Sequence, residues 1–113
     1  MVAAYLRRLE YDVTALSSTD EAWSQVQSAP AGFDAAVLDH SMTGLSSEDL
    51  ALRMLEANPA LRVIEASGYP VDMRPLEAAA PGRVTFLQKP FTPEKLAGTI
   101  RRMLGAQKPE EEL

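Results

Sequence analysis

Apolar positions along the chain switch repeatedly between a helical and a strand-like spacing. AYLRRLE sets Leu6 and Leu9 on one face and Arg7 and Arg8 off it, which predicts a helix. YDVTAL then alternates and carries β-branched Val13 and Thr14, which predicts a short strand at 12–16. Ser18 and Glu21 have capping-box spacing, so a helix is expected to begin there and run to about Ser28, with Trp23 and Val26 on its inner face. After the break APAGF, the stretch DAAVLD at 34–39 is apolar without alternation, as expected of a strand covered on both faces. HSMTGL reads as a loop. Ser46 and Asp49 mark the next cap, and Leu50, Met54 and Ala57 form a helical stripe that ends before Pro59.

RVIEAS is a strand, GYP a turn, 71–80 a weak helix around Pro75, and RVTFLQ a further strand. FTPEKLAGTIRRMLG is the strongest helix. Thr92 caps it and Pro93 stands at its first position, where a missing N–H does no harm. Leu96, Ile100, Met103 and Leu104 line one side, and Gly105 ends it. AQKPEEEL is a charged tail, so the expected organisation is a folded domain over 1–105 and a flexible tail over 106–113. Strands that alternate with helices imply an α/β fold, a parallel sheet with helices on both faces. Such a sheet places its chemistry beyond the carboxyl ends of its strands. Asp39, Ser67 and Lys89 all stand at such ends.

Composition narrows the classes. The chain has 113 residues, enough for one domain. Its 46% hydrophobic and 24% charged residues are ordinary for a globular protein. A net charge of −5 argues against nucleic acid, whose phosphates demand a basic footprint. With no cysteine, disulfides and thiolate sites are excluded, and one histidine excludes a His-rich metal centre. No apolar stretch reaches membrane-spanning length, and charge interrupts the N-terminus too early for a signal peptide, so a cytoplasmic location is expected.

A carboxylate, a hydroxyl and an ammonium on three consecutive strand ends suit phosphoryl transfer onto Asp39 as nucleophile. Ser67 can bond a phosphoryl oxygen, Lys89 supplies positive charge where negative charge accumulates, and Gly68 leaves room for the group to approach. Alone, Ser67 reads as a turn residue, Lys89 as a surface lysine, and His40 as a solvated loop residue. Trp23 and the methionines read as core.

VLDHSM, ASGYP and FLQKPFTPEKL resemble the receiver domain of response regulators in two-component signalling, particularly receivers attached to hybrid kinases. The likeness covers essentially the whole chain after Met1. It implies a flavodoxin-like sheet, and a phosphoacceptor at Asp39 that takes its phosphate from a histidine kinase or phosphotransfer protein. It further implies a switch hydroxyl at Ser67, a conserved lysine at Lys89 before a cis Pro90, and a switch aromatic at Phe86. The family's cofactor is Mg²⁺, and here its protein ligands would be Asp39 and the backbone carbonyl of Ser41. A receiver also begins with a strand ending in two adjacent acids that hold this ion. No such strand is found here, so four strands and a weak or absent metal site are expected. Phosphoryl acceptance by this chain is then expected to be impaired, because Mg²⁺ holds poorly to so few oxygen ligands.

In the family's strand order the missing strand is internal, and its loss leaves 12–16 and 34–39 without a shared neighbour. Either the two strands pair directly, or a second chain covers the gap and gives a homodimer. A mis-assigned start or a fragment of a longer gene would equally explain the absence. Smaller departures are Thr43 in place of the usual Pro, Ser47 in place of Gly, and Glu10 where a left-handed Gly is common. Glu65 lies inside a strand expected to be central. There it would need a partner or a raised pKa, or it would look into a gap or an interface. Two other functions compete with a signalling domain that is not an enzyme. One is a phosphate-independent protein-binding module. The other is a phosphatase of the haloacid dehalogenase-like class, which would place an acid where this chain has Ser41.

Overall fold

The computed structural model describes residues 2–16, 18–29, 32–40 and 46–105. Its elements run α1 (Val2–Arg8), α2 (Thr19–Ser28), β1 (Ala35–Asp39), α3 (Ser47–Ala57), β2 (Arg62–Ser67), α4 (Arg74–Ala79), β3 (Val84–Gln88) and α5 (Pro93–Gly105). The caps fall where side-chain chemistry places them. Ser18 accepts from the backbone N–H of Glu21, Ser46 from that of Asp49, and Thr92 from that of Lys95. Pro75 is tolerated because it stands in the first turn of α4. The tail at 106–113 lies outside the described residues, as do Ser41 and Thr43.

The three strands are parallel, in the order β1-β2-β3. Two apolar layers cover them. On one face Leu38, Val63 and Val84 pack with Ala22 and Val26 of α2, Leu50, Ala51, Met54 and Leu55 of α3, and Leu76 of α4. On the other, Ile64 and Leu87 pack with Leu6 of α1 and with Leu96, Ala97 and Ile100 of α5. This is the expected α/β architecture, with β2 at its centre: from Val63 to Ser67 every residue of β2 is buried.

The expected fourth strand does not form. Residues 11–16 have no strand structure, and direct pairing with β1 is not seen. A strand requires a neighbour within about 4.8 Å to take its backbone bonds, and this segment finds other partners. The guanidinium of Arg7 donates to the Val13 carbonyl at 2.9 Å. Val13 packs into the α1/α5 layer and Leu16 into the α2/α3 layer, so the chain passes here from one face of the sheet to the other. β1 is therefore an edge strand. Of its residues only Leu38 is fully buried, unlike the doubly covered strand its composition suggests. Leu6 is buried as expected, whereas Leu9 falls past the end of α1 and is exposed.

The opposite end of the sheet is tied by one side chain. Arg83 donates to the carbonyls of Leu61 at 3.1 Å, Leu55 at 3.2 Å and Asn58 at 2.6 Å, joining the start of β3 to the start of β2 and the end of α3.

Glu10 closes α1 with a positive φ of 74°, its N–H bonded to the Arg7 carbonyl at 2.9 Å. An L residue with a Cβ is strained there and glycine is not. Glu10→Gly is expected to stabilise the domain by about 1 kcal/mol, read as a higher urea midpoint with an unchanged slope.

Candidate functional site

The parallel register sets the three candidate residues side by side. Asp39 ends β1 opposite Ala66, so Ser67 lies one residue further along the adjacent strand. Ser67 in turn faces Gln88 of β3, and Lys89 follows directly. The Lys89 N–H bonds the Ser67 carbonyl at 2.8 Å, which carries the ladder past the end of β3. The Lys89 side chain then reaches over β2 to Asp39, with Nζ 2.6 Å from Oδ1. Both side chains are about one-third exposed, at 32% and 37%. An ion pair this open contributes at most about 1 kcal/mol to stability. Its consequence is orientation: one carboxylate oxygen is held against a fixed cation at the rim.

Ser67 is buried, and its hydroxyl accepts from the Tyr69 N–H at 3.2 Å. Phe86 is half-buried and lies opposite Glu65 across the β2–β3 ladder. The peptide between Lys89 and Pro90 is cis. No group of three or more His, Cys, Asp or Glu side chains among the described residues could hold a metal ion, and the Asp39 carboxylate already faces Lys89. Ser41, whose carbonyl was the second expected ligand, lies outside the described residues.

Three neighbours of Asp39 differ from the sequence reading. His40 is not a solvated loop residue. Its N–H bonds the Ala66 carbonyl at 3.0 Å, and its Nε2 lies 2.5 Å from Oε1 of Glu65. Glu65 faces neither a gap nor an interface. It is fully buried, on the same face of the sheet as Leu38, and its Oε2 has no described partner. Ser47, noted only as a departure from Gly, donates its hydroxyl to the Asp39 carbonyl at 3.1 Å. Sequence spacing could not show the His40–Glu65 contact, because it follows from the β1–β2 register. The one available signal was an acid inside an otherwise apolar strand.

Burial pushes the Glu65 carboxyl up to about 8, and the nearby Glu48 charge adds to the shift. The ordinary value is 4.5, so between these two values the folded state holds a proton that the unfolded chain has released. Stability from this group is complete below pH 4.5 and is lost as pH rises through about 8. The expected loss across that window is on the order of 5 kcal/mol. Urea unfolding at a series of pH values measures it, and Glu65→Leu is expected to flatten the slope.

No helix among the described residues is long and apolar enough to cross a membrane. Comparison with curated proteins gives no match. Solved receivers share the fold. A CheY-like receiver domain protein from Methanospirillum hungatei superposes with a TM-score of 0.78 at 20% identity, over 96% of this chain and 86% of that one. A receiver domain protein from Clostridium thermocellum gives 0.78 at 22% identity, over 95% and 85%. The chemotaxis protein CheY4 of Vibrio cholerae gives 0.76 at 24% identity, over 92% and 87%. The family model of the response regulator receiver domain matches residues 1–101, and with a doubly covered parallel sheet beneath it this chain belongs to that family of two-component signalling domains.

Proposed function

We propose that this chain is a receiver that takes a phosphoryl group on Asp39 from the phosphohistidine of a kinase or phosphotransfer protein, and does so slowly. The supporting observation is the 2.6 Å contact that sets the Lys89 ammonium against the Asp39 carboxylate, with Ser67 on the strand between them. A carboxylate oxygen of Asp39 attacks phosphorus as the P–N bond to the donor imidazole breaks. The electron pair of that bond leaves with the imidazole, and the product is an acyl phosphate. Lys89 offsets charge on the phosphoryl oxygens, and the Ser67 hydroxyl, released from the Tyr69 N–H, donates to one of them. Phe86 is the aromatic that repacks when that hydroxyl moves.

The rate follows from charge. A phosphoryl donor is anionic, and one ammonium already paired with the nucleophile is the compensation these residues offer. With acetyl phosphate and Mg²⁺, intact mass is expected to show slow, incomplete addition of one phosphoryl group. Asp39→Asn is expected to abolish it. Lys89→Met is expected to lower the rate by at least about tenfold while changing stability by less than about 1 kcal/mol. Rapid stoichiometric labelling would overturn the proposed slowness, and labelling that survives Asp39→Asn would overturn the assignment.

Among the described residues no three His, Cys, Asp or Glu side chains cluster as metal ligands, which favours a second reading, a binding module that presents its surface without phosphate. Beryllofluoride with Mg²⁺ separates the two. Shifts in the resonances of Asp39, Ser67 and Lys89 support the phosphoacceptor, and unchanged resonances support the module.

A further inference from the structure

Among the described residues β1 pairs with β2 alone, and the side chains that hold its rim end come from β2, from the start of α3 and from Lys89 after β3. The backbone bonds of Asp34 and His40 both run to the β2 side. In a parallel ladder the alternate residues turn their backbone groups the other way, and those residues are Ala35, Val37 and Asp39. The residue carrying the nucleophile is thus one whose main chain β2 does not hold. His40, directly after it, is held twice: its N–H by the Ala66 carbonyl at 3.0 Å and its ring by Glu65 at 2.5 Å.

Glu65 is a poor residue for stability alone. It is 0% exposed in the central strand, one of its oxygens has no partner among the described residues, and it lies beside Leu38 on the face that carries the larger apolar layer. An apolar side chain of similar volume would be more stable there. The one described partner of its carboxyl is the neighbour of Asp39. His40 keeps 21% of its side chain exposed, so water could serve the ring if Glu65 were absent. The bond is therefore not required to satisfy His40. What it does is anchor the rim end of an edge strand to the most buried strand of the sheet.

We propose that Glu65 is a positioning residue for Asp39: by bonding the His40 ring it clamps the end of β1 and keeps the Asp39 carboxylate in reach of Lys89. This rests on the reading of Asp39 as phosphoacceptor and adds to it a residue that never touches the phosphoryl group.

The test compares the wild-type chain with Glu65→Leu and Glu65→Gln at neutral pH. Three quantities are read: global stability in urea, amide hydrogen exchange at Asp39 and His40, and the rate of acetyl phosphate labelling by intact mass. Glu65→Leu is expected to raise global stability, to speed exchange at His40 by about tenfold, and to slow labelling by about tenfold. A purely structural role would move stability and labelling in the same direction. Glu65→Gln keeps a polar group that can bond the ring in either tautomer and is expected to stay within about threefold of wild type in exchange and labelling. Wild-type exchange at His40 and wild-type labelling in Glu65→Leu would overturn the proposal. If no chain is labelled at all, the phosphoacceptor reading fails, and exchange at Asp39 and His40 alone decides whether Glu65 clamps the strand.

Discussion

β1 has a hydrogen-bonding neighbour on one side and none among the described residues on the other, and the rest of the rim is arranged around that asymmetry. An interior strand is located by two ladders. An edge strand has one, and its far end is free to splay unless side chains hold it. Here they do. Ser47 takes the Asp39 carbonyl from the α3 side, Glu65 takes the His40 ring from beneath, and Lys89 takes the Asp39 carboxylate from across β2. Each bond replaces some of the constraint that a second ladder would give, and each ends within one residue of the same carboxylate.

The electrostatics follow the same logic. The Asp39 carboxylate at the strand end faces the Lys89 ammonium, and the pair is locally balanced. The strand ends that carry these groups line up in register. The buried Glu65 marks the other limit. Burial, with the nearby Glu48 charge adding to it, drives it toward its neutral form.

Much of this was legible in the residues. Ser18, Ser46 and Thr92 announced three helix starts through local capping chemistry, and all three caps are made. The runs RVIEAS and RVTFLQ carried enough apolar length to locate β2 and β3. The strand expected at 12–16 failed because alternation reports a half-buried segment and cannot report whether a neighbour exists to pair with it. Val13 and Leu16 are the partly buried sides of a crossing, not of a strand. Of the site, Asp39 and Lys89 were readable from their strand ends. The His40–Glu65 contact was not, since a separation of 25 residues closes only through the register of two strands.

Arg83 gives the sheet an anchored floor. Its three carbonyl bonds lock the entry of β3 to the entry of β2 and to the exit of α3. Strands pinned at their roots cannot slide past one another lengthwise. Any rearrangement set off at the tips has to fan sideways, from one strand tip to the next and into the helix ends beside them.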